Sequence, residues 1–367
     1  MNTRTWSWIA LPIMLLLSGC ADGGGGDGGL ESGVQVAYVA NSVSDDVSAF
    51  TINGSTGALT AVAGSPFAAG TTPNAVTVSR NSQFLYVANA GGNVSAYTIN
   101  GTTGALTTVA GSPFAAGTTP NAVTVSRNSQ FLYVANGGGN VSAYTINGTT
   151  GALTAVAGSP FAAGVTPNAV TVSPNGQFLY VANGGGTVSA YTITAGTGVL
   201  NAVAGSPFAA GATPNGVTVS PNSEFLYVAN GGGTISAYTI TAGTGALNTV
   251  AGSPFAAGVT PNAVTVSPNG DFLYIANGGG TVSAYTITAG SGVLNVVAGS
   301  PFAAGATPNG ITVEPNGQFL YVANGGGNVS AYTITAGTGV LVPIGAGLGN
   351  PFSAGNTPSG IATPGRP

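Results

Sequence analysis

A block of about 47 residues recurs along most of the chain, and this recurrence limits the possible folds more than any other feature. The tetrad Tyr-Val/Ile-Ala-Asn begins at Tyr38, Tyr86, Tyr133, Tyr180, Tyr227, Tyr274 and Tyr321. The motifs Ser-Pro-Phe-Ala and Thr-Pro-Asn recur at the same interval, and each has a degenerate seventh copy, at 350–352 and 357–359. Every landmark therefore occurs seven times, which indicates seven copies of one supersecondary unit.

Within one period the sequence contains only strand and turn signals. Pro174-Asn175-Gly176 is typical of a tight turn, and Gly184-Gly185-Gly186 of a short connection. Alternating, β-branched or apolar segments predict four strands, at 168–173, 177–183, 187–193 and 199–204. We place the start of the crossing to the next unit at Gly205-Ser206-Pro207. Four antiparallel strands per period predict an all-β, seven-bladed β-propeller; the main rival, an open β-solenoid, usually has shorter coils.

The two ends of the repeat region predict how the ring closes. The chain enters at the second strand of a blade (36–41) and leaves at a first strand (359–363). We therefore expect the C-terminal strand to complete the N-terminal blade and to hide both edges. Irregular residues cluster at this seam, where Asp45-Asp46 is the only acidic pair of the propeller and Phe50 replaces a recurring Tyr.

The repeated segments Phe-Leu-Tyr-Val-Ala-Asn, Val-Ser-Ala-Tyr-Thr-Ile and Ser-Pro-Asn-Gly resemble the YVTN-type repeat of the lactonase-like propeller superfamily. The resemblance covers about residues 34–364. The superfamily includes 6-phosphogluconolactonase-type and muconate-cycloisomerase-type propellers. It implies a seven-bladed ring, but the matching residues are those that build blades, and one fold serves many functions. Enzymes of this group use His, Glu and Arg on a propeller face. This chain has no His, so we carry over no catalytic residue.

The N-terminal segment has the pattern of a bacterial lipoprotein signal. Arg4 precedes a short apolar run, and Leu-Ser-Gly-Cys20 resembles a lipobox, in which cleavage leaves Cys20 as a lipidated N-terminus. We predict a signal peptide at 1–19, a lipidated Cys20 with a Gly-rich tether at 20–33, and the propeller at 34–367. The alternative is an ordinary signal peptide with a coincidental Cys. The expected location is the bacterial cell envelope, lipid-anchored, with Ala21 favouring the outer membrane or cell surface.

The chain is unusually poor in charge. Only 3% of its residues are Asp, Glu, Lys or Arg, and the formal net charge is −4. Such a surface cannot neutralise a run of phosphates, so nucleic acid is excluded as a partner. The Asn-Gly-Gly-Gly segments lack the Lys and the helix of a phosphate loop. One Cys provides neither a disulfide framework nor a thiolate metal site, and we expect no cofactor.

Two sets of Asn are expected around one mouth of the central channel, where the Thr-Pro-Asn crossings and the Asn-Gly-Gly-Gly loops meet. Amide side chains suit sugar hydroxyls or peptide groups, so these sets form the candidate ligand face. Asn also commonly satisfies backbone groups in turns, which is the competing interpretation. The inner set is Asn74, Asn121, Asn168, Asn215, Asn262 and Asn309, with Ser359 in the seventh place. The outer set is Asn41, Asn89, Asn136, Asn183, Asn230, Asn277 and Asn324.

The few charged side chains suggest little chemistry. Asp45 and Asp46 should lie on the mouth face, where they are a weak candidate for Ca²⁺; a solvated turn is the competing interpretation. The charges of the opposite face sit in or next to the Ser-Pro-Asn or Ser-Arg-Asn hairpins and are interpreted as solubilising. These residues are Arg80, Arg127, Glu224, Asp271 and Glu314.

The leading functional hypothesis is a lipid-anchored envelope propeller that binds or scaffolds without catalysis, because near-identical blades offer seven similar surfaces and no distinct pocket. Its ligand would be a glycan, a peptide or an envelope protein. One alternative is a lactonase-like hydrolase acting on the propeller face. The other is a structural repeat spacer without a specific ligand. The low charge favours self-association, but the sequence does not set an oligomeric state.

Overall fold

The computed structural model describes residues 34–345, 347 and 350–364, and it is a ring of seven antiparallel sheets. The all-β, seven-bladed propeller that the repeat predicts is therefore confirmed. The predicted signal peptide (1–19), Cys20 and the tether (20–33) lie outside these residues. In the part of the chain that the structure describes, no helix is long and apolar enough to cross a membrane.

Each blade has an inner strand beside the channel, then a second strand, a third strand and an outer edge in two pieces. The inner strands are Pro73–Val78, Pro120–Val125, Pro167–Val172, Pro214–Val219, Pro261–Val266, Pro308–Val313 and Pro358–Ala362. The second strands are Val36–Asn41, Phe84–Asn89, Phe131–Asn136, Phe178–Asn183, Phe225–Asn230, Phe272–Asn277 and Phe319–Asn324. The third strands are Asp46–Ile52, Asn93–Ile99, Asn140–Ile146, Thr187–Ile193, Thr234–Ile240, Thr281–Ile287 and Asn328–Ile334. We number the blades 1 to 7 in the order of their inner strands.

The outer edge consists of two short strands, both paired with the third strand of the same blade. The first pieces are Leu59–Ala61, Leu106–Thr108, Leu153–Ala155, Leu200–Ala202, Leu247–Thr249, Leu294–Val296 and Leu341–Pro343. The second pieces are Phe67–Ala68, Phe114–Ala115, Phe161–Ala162, Phe208–Ala209, Phe255–Ala256, Phe302–Ala303 and Phe352–Ser353.

The Ser-Pro-Phe-Ala motif belongs to the outer edge, so its interpretation as the start of the crossing was wrong. In blade 3, Val188 pairs with Phe208. Between the two outer pieces, the hydroxyl of Ser206 accepts a hydrogen bond from the backbone N–H of Ala190 at 2.9 Å. The serine side chain thus replaces a backbone acceptor where Pro207 interrupts the strand.

The ring closes at blade 7 as the sequence predicts. The C-terminal strand Pro358–Ala362 pairs antiparallel with Val36–Asn41, and Val39 lies opposite Ile361. The inner strand of this blade thus comes from one end of the described chain and the other strands come from the opposite end. This pairing covers the exposed backbone of both end strands.

The apolar core lies between the blades and forms seven clusters. Between blades 2 and 3, for example, Phe131, Tyr133 and Val141 pack against Leu179 and Tyr191. Each blade therefore buries both of its faces against neighbours, which explains the run of fully buried residues in every second strand. Burial of a large apolar side chain stabilises the fold by about 1.5–3 kcal/mol, so the interfaces between blades account for most of the hydrophobic stabilisation.

Tyrosine hydroxyls also join neighbouring blades. Each second-strand Tyr donates to a glycine carbonyl of the next blade, as Tyr180 does to Gly245 at 3.0 Å. Six third-strand tyrosines donate to an alanine carbonyl of the preceding blade, as Tyr97 does to Ala68. The seventh position of this second belt is Phe50, which has no hydroxyl and leaves the belt open at the seam.

Candidate functional site

The two loop sets predicted to share one end of the channel do so, and we call this end the mouth face. In blade 4, the backbone N–H of Gly231 donates to the carbonyl of Thr213 at 2.8 Å, and that of Gly232 to Ala212 at 3.1 Å. The crossing loop and the loop between the second and third strands are therefore fastened to each other. The opposite end, the hairpin face, bears the hairpins between first and second strands.

The inner asparagines form a closed belt of hydrogen bonds around the mouth. Each side-chain amide donates to the proline carbonyl of the next blade's inner strand, as Asn121 does to Pro167 at 3.0 Å. At the seam, Ser359 completes the belt by donating to Pro73 at 2.6 Å. These half-buried side chains therefore bridge blades through backbone groups, as the competing interpretation of Asn in turns suggests. Ligand binding by this set stays a prediction.

The outer asparagines are fully buried inside their own blades. Asn89 donates to Asn93 at 2.8 Å and to Ser95 at 2.9 Å, and the other six make equivalent bonds. The side-chain oxygen of all seven has no hydrogen-bond partner among the described residues. The outer set has no exposed surface that a ligand on the mouth face could touch in this structure. The sequence gives no sign of this difference between the two sets.

Seven threonines beside the mouth have strained backbones, and sequence reasoning missed them. They are Thr72, Thr119, Thr166, Thr213, Thr260, Thr307 and Thr357, with φ between 52° and 56°. A β-branched residue rarely adopts positive φ, and such strain costs about 1–3 kcal/mol per residue and tends to collect at functional sites. The sequence signal for an unusual backbone was that each of these threonines precedes a Pro, a position where the right-handed helical conformation is disfavoured.

The acidic pair lies on the mouth face at the seam, as the sequence predicts. One carboxylate oxygen of Asp45 accepts a hydrogen bond from the backbone N–H of Thr72 at 2.7 Å. One oxygen of Asp46 accepts from the amide of Asn41 at 2.7 Å. Asp45 is exposed and Asp46 is half-buried. The described residues contain no group of three or more His, Cys, Asp or Glu side chains that could hold a metal ion.

One charge on the hairpin face is not a solubilising charge, and that interpretation was wrong for Glu314. Its side chain is 1% exposed. Its carboxylate accepts backbone N–H bonds from Asn316 at 2.8 Å, Gln318 at 2.7 Å and Phe319 at 3.3 Å. The bond from Phe319 corresponds to the one that Ser220 accepts from Phe225 in blade 4, and the longer Glu side chain also accepts from Asn316 and Gln318, so the buried carboxylate is satisfied by three donors.

Two cavities of the described structure open on the hairpin face. A groove of about 380 Å³ between blades 2 and 3 is lined by Arg127, Asn128, Asn175 and Gln177, among others. A smaller cavity of about 180 Å³ lies at the end of the channel and contacts Arg80. Both cavities therefore lie away from the mouth face, where the candidate ligand residues were predicted.

Comparison with known proteins identifies relatives by family and by fold. Residues 34–352 match the family described as "Lactonase, 7-bladed beta-propeller". A protein of Bacteroides uniformis, provisionally described as a 6-phosphogluconolactonase, superposes with a TM-score of 0.77 at 19% identity, over 90% of this chain and 100% of that one. The periplasmic gluconolactonase of Pseudomonas aeruginosa gives 0.75 at 19% identity, over 91% and 100%. At such identities the likeness to solved structures shows the fold alone. None of the curated protein sequences matches this chain.

Proposed function

Since this chain belongs to the family of seven-bladed β-propeller lactonases, we propose that it hydrolyses the ring ester of a lactone on its mouth face. The observation that carries the proposal is the match of the family to residues 34–352, which includes strands of all seven blades and omits the inner strand of blade 7. The strained threonines around the mouth support this face, because backbone strain tends to collect at functional sites.

The acidic pair is our candidate for water activation. In this proposal a carboxylate of the pair removes a proton from water, and the resulting hydroxide attacks the lactone carbonyl. The ring C–O bond then breaks, and the proton passes to the leaving alkoxide to give a hydroxy acid. Asp45 and Asp46 each use one carboxylate oxygen for a structural bond within the described residues. Their second oxygens make no such bond and are the candidate bases.

The repeat provides matched variants for a test. Asp46→Asn introduces the residue that blade 1 carries at Asn93, and Asp45→Gly introduces the residue found at Gly92. Both variants should keep the fold, and we expect loss of lactone hydrolysis, measured as acid release across a lactone panel. Glu224→Gln, on the hairpin face, is the control and should retain the wild-type rate. No turnover by the wild-type chain, or full turnover by the double variant, would overturn the proposal.

A second candidate is a non-enzymatic binding module, which the belt of inner asparagines favours. Its seven near-equivalent positions surround the channel mouth and are half-buried. A ring of this kind suits a ligand with repeated hydroxyl or peptide groups. Binding on a glycan or peptide array, without lactone turnover, would support this candidate over hydrolysis. If the chain shows neither binding nor turnover, the structural spacer remains as the interpretation.

We also propose that Cys20 anchors the chain to a bacterial envelope membrane through lipid. The pattern Leu-Ser-Gly-Cys20 supports this assignment. Mass spectrometry of the mature N-terminus should find a diacylglyceryl-modified Cys20, and Cys20→Ser should release the chain from the membrane fraction. An unmodified N-terminus in a bacterial host that processes lipoproteins would contradict it.

A further inference from the structure

The cavity at the hairpin end of the channel is lined by four threonines, one arginine and four apolar residues. It measures about 180 Å³ and contacts Thr77, Arg80, Thr124, Thr312 and Thr363. These residues come from blades 1, 2, 6 and 7, so the cavity spans the seam side of the channel. The hydroxyls of Thr312 and Thr363 are 3.4 Å apart. The four hydroxyls and the guanidinium can all donate hydrogen bonds, as groups that bind an anion must.

The Arg80 cation has no anionic partner in the described part of the chain. Its side chain is half-buried, and its guanidinium makes no ion pair or hydrogen bond with another described residue. Burial lowers the pKa of Arg80, and the positive charge of nearby Arg127 lowers this pKa further. Two neighbouring cations without a counter-charge are an unfavourable arrangement that a bound anion would relieve.

Glu314 is the acidic residue closest in sequence to the residues that line the cavity, but it does not supply that counter-charge. Glu314 follows the cavity residue Thr312 by two positions, but its carboxylate accepts three backbone N–H bonds within its own hairpin. The remaining acids of this face, Glu224 and Asp271, are exposed on blades 4 and 5. They hydrogen-bond to asparagines of their own hairpins.

We propose that this cavity binds a small oxyanion such as inorganic phosphate, with the Arg80 guanidinium as the charged contact and the threonine hydroxyls as neutral donors. The site is specific to the seam side because blades 3 to 6 carry Pro where blade 1 carries Arg80, at Pro174, Pro221, Pro268 and Pro315. It lies on the face opposite to the proposed hydrolytic site and does not depend on that proposal.

Calorimetric titration of the purified full chain with sodium phosphate, at constant ionic strength, tests the proposal. Arg80→Pro is the key variant, because it converts the hairpin into the Ser-Pro-Asn-Ser sequence that blade 4 carries at 220–223. Loss of one charge-assisted contact should weaken phosphate binding about tenfold or more. Arg127→Pro removes the neighbouring cation and should weaken binding less. Glu224→Gln, which neutralises a charge on blade 4, should leave phosphate affinity unchanged.

A second measurement separates loss of binding from loss of fold. Phosphate should raise the Tm of the wild-type chain and of Glu224→Gln, and it should leave the Tm of Arg80→Pro unchanged. Absence of binding by the wild-type chain, or equal affinity of wild type and Arg80→Pro, would overturn the site. If Arg80→Pro fails to fold, Arg80→Gln provides the same comparison and should show the same loss of affinity.

Discussion

The hydroxyl of Tyr321 donates a hydrogen bond to the carbonyl oxygen of Gly57 at 2.9 Å, across 264 residues of sequence. It is the seam member of a belt of seven such bonds between successive blades. The corresponding bond inside the ring, from Tyr180 to Gly245, measures 3.0 Å. The interface that closes the ring therefore repeats the polar contact of the interfaces between sequential blades.

Tyr321→Phe should destabilise the fold because the buried carbonyl of Gly57 loses the hydrogen bond from the Tyr321 hydroxyl. An unsatisfied buried acceptor costs about 1–3 kcal/mol. Tyr180→Phe is the internal comparison and should cost a similar amount, measured by chemical denaturation. If Tyr180→Phe lowers the free energy of unfolding and Tyr321→Phe does not, the seam opens before the rest of the ring unfolds.

Phe50→Tyr should stabilise the protein by completing the second tyrosine belt. Phe50 is 5% exposed and occupies the place of Tyr97 and its equivalents. The expected acceptor is the carbonyl of Ser353 in blade 6, which is the counterpart of Ala303 in blade 5. One added buried hydrogen bond is worth about 0.5–1.5 kcal/mol, so Tm should rise. An unchanged or lower Tm would mean that the added hydroxyl finds no acceptor at the seam.

Two glycines of one hairpin should respond differently to replacement by Ala. Gly196 and Gly198 have φ of 79° and 72°, so either change strains the backbone by about 1–2 kcal/mol. A Cβ at Gly196 meets nothing within 4 Å, whereas a Cβ at Gly198 would overlap the ring of Phe131. Gly198→Ala should therefore cost a further 1–3 kcal/mol, roughly, from overpacking. Equal free energies of unfolding for the two variants would contradict this packing.

The protein should lose stability steeply at alkaline pH. Burial raises the pKa of all thirteen tyrosines above the ordinary value of 10.0. Because the pKa is higher in the folded than in the unfolded state, the tyrosines' contribution to stability is complete below about pH 10 and declines as pH rises toward the folded pKa values. Over that range, each tyrosine that stays protonated in the folded state lowers the free energy of unfolding by about 1.4 kcal/mol per pH unit.

Tyrosine absorbance at 295 nm and far-ultraviolet circular dichroism measure this transition. The two signals should change together in one cooperative step above pH 10, because ionisation requires unfolding. Gradual ionisation at pH 10 with unchanged circular dichroism would show instead that the tyrosine hydroxyls reach solvent in the folded ring.

Residue pattern alone was enough to predict the blades and their closure. Alternation in Thr187–Ile193 and the turn at Gly176, which has φ of 74°, appear in the structure as expected. The outer edge was less predictable. Ser206-Pro207 has the local signature of a loop, and contacts with the third strand, from Ala190 to Ser206 and between Val188 and Phe208, place the motif at the outer edge of the sheet.

The candidate site depended on contacts that no local pattern encodes. Asn74 and Asn89 belong to equally regular sets, yet the first bridges two blades and the second is fully buried in its own. Glu314 and Glu224 are both hairpin acids, yet only Glu314 is buried.

The sequence by itself determined the repeat, the number of blades and the seam, because strand periodicity and turn chemistry are local properties of the chain. Tertiary structure alone decided which polar side chains are available to a ligand. The bonds of Asn121 to Pro167 and of Tyr321 to Gly57 join different blades, and the cavity beside Arg80 draws residues from both ends of the ring. Hydrogen bonding and burial depend on how neighbouring blades pack against each other, which is a property of the assembled ring and not of any local segment of the chain.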